Sequence, residues 1–143
     1  MLIGEYKHNL DAKGRMAIPA KFRNKFSEEL VITKGIDSWL FGFEKIEWEK
    51  MVEKLTALPI TQKDSRAFAR LMLAGATVAE IDSQGRILIP EYLRKYANLE
   101  KRIVIAGIHS RIEIWGEKEW EEYKKQSEEN SEEIAERLSD LGI

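Results

Sequence analysis

Hydrophobic and polar residues alternate in short runs along most of the chain, and two of these runs stand in nearly the same setting. LIGEY near the start and ATVAEI near residue 80 have the two-residue period of half-buried strands. Each is interrupted by Asp-x-x-Gly, where Asp can bond nearby backbone to open a turn and Gly supplies the positive φ that closes it. RMAI and RILI resume as second strands. Pro19 and Pro90 come next, each suited to the first turn of a short helix (PAKFRNKF, PEYLRKYA), because proline lacks an N–H and holds φ near the helical value. Two more strands follow in each half, around LVIT and WLFGF, then around RIVIA and RIEIW, with turns at Gly35 and Gly107. A helix closes each half, EKIEWEKMVEKL in the first and EKEWEEYKKQ in the second.

Between the halves, TQKDSRAFARLMLAG has apolar positions at Phe68, Leu71 and Leu73 and a glycine at 75, which predicts a helix. No Pro-rich or Gly/Ser stretch separates the halves, so this segment is a structured connector. The tail, SEENSEEIAERLSDLGI, carries Ile134, Leu138 and Leu141 at helical spacing on a charged background, a pattern for a helix that docks weakly or frays.

The parallel between the halves extends to residues. DAKGRMAIP from Asp11 to Pro19 and DSQGRILIP from Asp82 to Pro90 share Asp, Gly, Arg, Ile and Pro at an offset of 71. Phe22, Arg23 and Phe26 meet Leu93, Arg94 and Ala97 at the same offset, and VITKGIDSWLFGFEKIEW then lies over IVIAGIHSRIEIWGEKEW at 72. That alignment equates Gly35 with Gly107, Phe43 with Trp115 and Trp48 with Trp120. A collinear match of this length is a duplication. The matched Trp48 and Trp120 are read as shared core residues; Trp39, Trp48, Trp115 and Trp120 as anchors of an interface is the competing reading.

Composition narrows the chemistry. With 143 residues, 43% hydrophobic and 34% charged, the chain is of the soluble globular kind, and two half-size units would have to share a core. There is no apolar run of membrane-spanning length and no signal-peptide pattern at the N-terminus, so a cytoplasmic location is expected. The absence of cysteine removes disulfides and thiolate chemistry, and His8 and His109 are too isolated in sequence to suggest a zinc site; no cofactor is expected. The net charge of -2 hides an asymmetry: before Gly116 there are 19 Lys and Arg against 15 Asp and Glu, and from Gly116 onward 4 against 10. The body is mildly basic and the acidity sits at the C-terminal end, so the overall sign does not argue against a nucleic-acid partner.

In the repeated phrase, Asp, Gly, Ile and Pro have structural duties, but a turn needs no guanidinium. An exposed ion pair is worth only ~0 to 1 kcal/mol, so an arginine placed twice at one loop suggests a second role. Two copies related by a pseudo-two-fold axis would set Arg15 and Arg86 side by side, with Lys7, Lys13 and Lys21 adding charge around the first. Guanidinium can bond a guanine edge or a phosphate bidentately, and a narrow β-loop fits a DNA groove. Arg23 and Arg94 would support through phosphates or stand as solvated helix residues. Lys13 is matched by Gln84, so the first loop is the more electrostatic. An enzyme reading would pair Asp11 with Asp82 as two carboxylates, but each has an arginine in its own turn to keep it ionised, and no nucleophile–base set is visible.

A four-residue Asp-x-x-Gly-Arg turn leading into alternating aliphatics and Pro resembles the swapped-hairpin DNA-binding domain of the AbrB superfamily. Two such phrases, DAKGR and DSQGR, in a chain of this length resemble the bacterial MraZ family. The resemblance runs from the first strand to the helix at Trp120. It implies an α+β fold of two tandem AbrB-like swapped-hairpin β modules, packed as a pseudo-two-fold small barrel with flanking helices. The modules would span 5–48 and 76–120, with a helical connector over 49–75 and an acidic helix or tail over 121–143. It further implies a nucleoid-associated transcriptional regulator that binds double-stranded promoter DNA at short direct repeats upstream of its own division and cell-wall operon, assembled as a homo-oligomeric ring. The DNA-contact role would fall on Arg15 and Arg86, with Asp11, Gly14, Asp82 and Gly85 supporting the loops. The alternative is an oligomeric partner-binding or assembly protein without a DNA role.

Overall fold

Both strand–turn–strand phrases form as their patterns predict. The computed structural model describes all of residues 1–143. In the first half β1 (Leu2–Asn9) and β2 (Arg15–Ala17) flank the first turn; a 3-10 turn over Ala20–Phe22 runs into α1 (Arg23–Phe26), then β3 (Glu29–Lys34), β4 (Leu40–Phe43) and α2 (Lys45–Thr56). After α3 (Lys63–Ala74) the plan recurs with β5 (Thr77–Glu80), β6 (Arg86–Leu88), α4 (Glu91–Tyr96), β7 (Arg102–His109), β8 (Ile112–Gly116) and α5 (Glu117–Glu129). The tail adds α6 (Ser131–Arg137) and a 3-10 turn over Ser139–Leu141. No helix is long and apolar enough to cross a membrane. Pro19 and Pro90 stand one residue earlier than predicted, at the caps, with φ -51 and ψ 134, and φ -57 and ψ 151. Their extended ψ turns the chain before the helix begins.

The molecule is a mixed α+β structure with six α-helices and an open antiparallel sheet in the order β1-β7-β8-β4-β3-β5. The two halves exchange their lead-in strands. β1 pairs with β7 of the second half, from Leu2↔His109 to Asn9↔Arg102, while β5 pairs with β3 of the first, from Thr77↔Ile32 to Glu80↔Glu29. The sheet does not close into the small barrel expected from the sequence. The strands that could bridge its two edges, β2 and β6, are three residues long and pair with one another in a separate ribbon.

Each face of the sheet is covered. On one, Leu30, Ile32, Leu40, Ile103, Ile105, Ile112 and Ile114 pack against Met16, Ile18, Ile87 and Ile89 of the ribbon segments and Phe22 and Leu93 of the short helices. On the other, Trp39, Phe41, Phe43 and Trp115 meet Leu55 and Met72 beneath α2, α3 and α5. Trp39 and Trp115 stack with ring centroids 5.8 Å apart, and Trp48 and Trp120 pack at the margin of this cluster. Trp39 and Trp115 are thus spent inside the fold, while Trp48 and Trp120 are partly buried at its margin. Connector helix α3 seats Phe68 and Leu73 there as predicted, but its most deeply buried residue is Met72, whose carbonyl accepts from Thr33 Oγ1 at 2.6 Å.

The internal alignment needs one correction. Val31 pairs with Phe43, and Val104 with Trp115, so β3 and β7 correspond at an offset of 73 while β4 and β8 keep 72. The second hairpin is one residue shorter. Gly107 therefore lies within β7 opposite Gly4, where a Cβ would come within 2.6 Å of the β1 backbone, and the turn is made at His109 (φ 65) and Ser110.

Candidate nucleic-acid interface

Each Asp-x-x-x-Arg turn is built by its own aspartate. Asp11 Oδ1 accepts the backbone N–H groups of Lys13 and Arg15, both at 2.9 Å, and Oδ2 accepts Arg15 Nε at 2.7 Å. Asp82 repeats the pattern with the N–H groups of Gln84 and Arg86 at 2.9 Å and Arg86 Nε at 3.0 Å. Gly14 and Gly85, at φ 86 and 76, return N–H bonds to the carbonyls of Asp11 and Asp82. Since each aspartate holds its arginine by Nε, the two terminal nitrogens of each guanidinium make no protein hydrogen bond.

These bonds fix the carboxylates as anions. Chiefly the Arg15 N–H, and then its guanidinium and the Lys13 N–H, hold the Asp11 carboxyl down at about 2, and the Arg86 N–H does the same in direction for Asp82. Groups so strongly ionised are unfit to donate a proton near neutrality, which weighs against Asp11 and Asp82 as an acid–base pair. Because the folded value lies below the unfolded one of about 3.9, the stabilisation is present in full above that pH and is lost as pH falls through about 2. A carboxyl-carbon NMR titration should give Asp11 a midpoint near 2, and Arg15→Ala should leave it well below the ordinary range, since the main cause is a backbone N–H. A midpoint near 4 in the native protein would contradict this account of the turn.

The two turns lie side by side because β2 and β6 pair antiparallel, Arg15↔Leu88, Met16↔Ile87 and Ala17↔Arg86. Directly opposed residues share a face. Met16 and Ile87, at 0% and 1% exposure, point into the core, so Arg15, Leu88, Ala17 and Arg86 share the outer face. On antiparallel spacing the two arginines stand on a diagonal roughly 7–8 Å apart, somewhat less at Cβ. The loops are also cross-tied, the Ile18 N–H donating to Gly85 O and the Ile89 N–H to Gly14 O, each at 2.9 Å.

The other candidate cations are placed differently. Lys13 is exposed at the loop tip and Lys21 is exposed on the 3-10 turn. Lys7 is not brought to the ribbon: it lies 3.6 Å from Glu121 of α5, on the sheet face opposite Tyr6 and His8. Arg23 and Arg94 are not simply solvated: each is held by Nε, as Arg15 and Arg86 are, and its terminal nitrogens make no protein hydrogen bond. Arg23 Nε donates to Ile18 O at 3.1 Å and its guanidinium covers Gly85 of the other half; Arg94 Nε donates to Ile89 O at 2.9 Å and covers Gly14. Each arginine latches the opposite loop. The sequence signal for this is an arginine repeated at the offset of 71, but its partner lies across the duplication. Leu88, on the arginine face, carries no signal in the sequence because it stands within an ordinary alternating strand.

The fold and this site define a class: duplicated α+β proteins that present two arginines on the outer face of a short, exposed β-ribbon. The chain belongs to the MraZ family, whose model, described as "MraZ protein, putative antitoxin-like", matches residues 1–71 and again 72–141. It is 50% identical over its full length to the full length of the transcriptional regulator MraZ of Caldanaerobacter subterraneus subsp. tengcongensis. It is 52% identical, again with both chains fully covered, to the proteins of that name from a Thermoanaerobacter strain and from Halothermothrix orenii. A Pyrococcus horikoshii protein solved in solution aligns over 80% of this chain and 88% of its own at a TM-score of 0.34 and 16% identity, too distant to carry an argument.

Proposed function

We propose that this protein is a transcriptional regulator that binds double-stranded DNA through the β2–β6 ribbon. The observation that carries the reading is the pair Arg15 and Arg86, held by Nε on one exposed face with their terminal nitrogens unspent. A two-stranded ribbon is narrow enough to enter the major groove, where guanidinium can take a guanine edge. Lys13 and Lys21 then serve flanking phosphates, while Arg23 and Arg94 fix the loops. The names of the full-length relatives support the same class of function. The exchange of β1 and β5 supports two swapped-hairpin modules, over 5–48 and 76–120, related by a pseudo-two-fold axis through the ribbon.

One ribbon touches few base pairs, so useful affinity requires several subunits on repeated sites. A ring engaging short direct repeats upstream of the protein's own operon meets that need, and both sheet edges, β1 and β5, are open to a neighbour. The location that follows is the nucleoid. Bending the DNA along a curved assembly costs roughly 1–6 kcal/mol per site, which limits how many repeats engage at once. The test is a gel shift with the region upstream of the protein's own gene at rising salt. Retarded complexes are expected at low salt, with affinity falling steeply as salt is raised, because bound phosphates release counterions. No retardation at low salt overturns the reading.

A further inference from the structure

The two arginines are equivalent by duplication, but their cross-strand neighbours are not. Opposite Arg15 stands Leu88, 55% exposed on the outer face; opposite Arg86 stands Ala17, half-buried, whose carbonyl accepts from His8 Nδ1 at 2.8 Å. Leu88 and Ala17 are themselves equivalent at the offset of 71. One end of the ribbon therefore carries an exposed isobutyl group beside its arginine, and the other end only a half-buried methyl. The loop tips add Lys13 at the Arg15 end and Gln84 at the Arg86 end.

From this asymmetry we infer that Leu88 is a specificity-determining residue that packs on the 5-methyl group of a thymine beside the base pair met by Arg15, so that the pseudo-symmetric ribbon reads a site with a direction. The inference rests on the DNA-binding reading above. Directly opposed residues have Cβ atoms about 4.5–5.5 Å apart, between one and two base-pair steps of about 3.4 Å, so a side chain opposite Arg15 reaches a neighbouring step at similar depth. In the major groove the thymine methyl is the one apolar feature of the base edges, and aliphatic side chains recognise it by contact. A buried leucine tip gains from that contact what an exposed one forgoes in water. Ala17 is too short and too deep to do the same at the other end. A ribbon with two identical ends would read a site equally well in either orientation. With one apolar end it favours one orientation, and repeats read by it are arranged head to tail.

The experiment first footprints the upstream fragment, then replaces each thymine of the protected region by deoxyuridine, which removes the methyl and nothing else. With the native protein, one position per repeat should lose about three- to fourfold in affinity, the factor carried by one buried methyl group. Leu88→Ala, at an exposed position that leaves the core untouched, should lose a similar factor on the thymine fragment. It should become indifferent to deoxyuridine at that position and keep its salt slope. A native protein indifferent to every replacement, or a Leu88→Ala protein with the same deoxyuridine penalty as the native one, overturns the inference while leaving DNA binding intact. Absence of a footprint overturns the DNA-binding reading instead, and a footprint unchanged in the Arg15→Ala/Arg86→Ala protein overturns the ribbon as the interface.

Discussion

Replacing both Arg15 and Arg86 by alanine should abolish sequence-specific DNA binding while leaving the melting temperature nearly unchanged. Each arginine side chain is more than a quarter exposed, and its bond to Asp11 or Asp82 is a surface ion pair, a kind that adds little to stability. The turns survive the loss because each aspartate keeps two backbone N–H partners. A good bidentate contact to a base discriminates by about 1–3 kcal/mol, or roughly 5- to 150-fold, and the loss multiplies over every repeat an assembly engages. Arg15→Lys and Arg86→Lys sharpen the test. Lysine keeps the charge but not the planar fork, so binding to unrelated DNA at low salt should persist while preference for the native fragment falls. If instead the arginines only neutralise phosphates, each alanine variant will reduce the salt slope by about one and the lysine variants will bind normally. Binding of the double alanine variant equal to that of the native protein, measured by titration on the upstream fragment, would remove these residues from the interface.

How much of this can be read from the sequence depends on which side of the molecule is considered. The ribbon is legible because its chemistry is local. Asp, Gly and Arg of one turn make their contacts within four residues, and only Met16 and Ile87 of the paired ribbon residues point inward, so the turn signal of DAKGRMAIP and DSQGRILIP survives in the folded state. The sheet beneath is not legible in the same way. β3 and β4 are buried on both faces, as is the central run of β7, so ELVITK, LFGF and RIVIA are apolar without alternation. A strand whose two sides are equally apolar does not reveal its register. Residue matching alone therefore sets VITK over IVIA when VIAG is its counterpart, and reads Gly107 as a turn. The roles of Arg23 and Arg94 are hidden for a different reason. Each acts on a glycine of the other half, a contact that exists only once the halves interlock. Charge points to phosphates; backbone geometry uses the same guanidinium groups as covers for a close approach. The tail behaves as its composition predicts: α6 forms, but Ile134, Leu138 and Leu141 remain 37%, 38% and 74% exposed.

Gly14→Ala should lower stability clearly more than the same change at a glycine of like φ that no side chain covers. Gly14 has φ 86, and a Cβ added to it would stand 2.7 Å from Arg94 Cζ and 2.8 Å from Arg94 Nε. Alanine at such a φ costs roughly 1–3 kcal/mol in backbone strain. Arg94 can swing away, since only side-chain atoms are in the path, but it then gives up its 2.9 Å bond to Ile89 O, which is worth about 0.5–1.5 kcal/mol. Together these give about 1.5–4.5 kcal/mol, or a fall in Tm of roughly 5–18 °C for a chain of this size. Gly142 is the internal control. It has nearly the same φ, 83, but a methyl group added there would meet no atom within 4 Å, and it lies at an exposed chain end that can relax, so Gly142→Ala should cost under about 1 kcal/mol. Arg94→Ala, which removes the latch without straining the turn, should fall between the two. Because Gly14 precedes Arg15 and its carbonyl accepts the Ile89 N–H, the Gly14 variant should also lose DNA affinity at temperatures where it remains folded. Equal melting losses for Gly14→Ala and Gly142→Ala would mean that the packing of Arg94 on Gly14 contributes nothing, and that the loops are held by their turns alone.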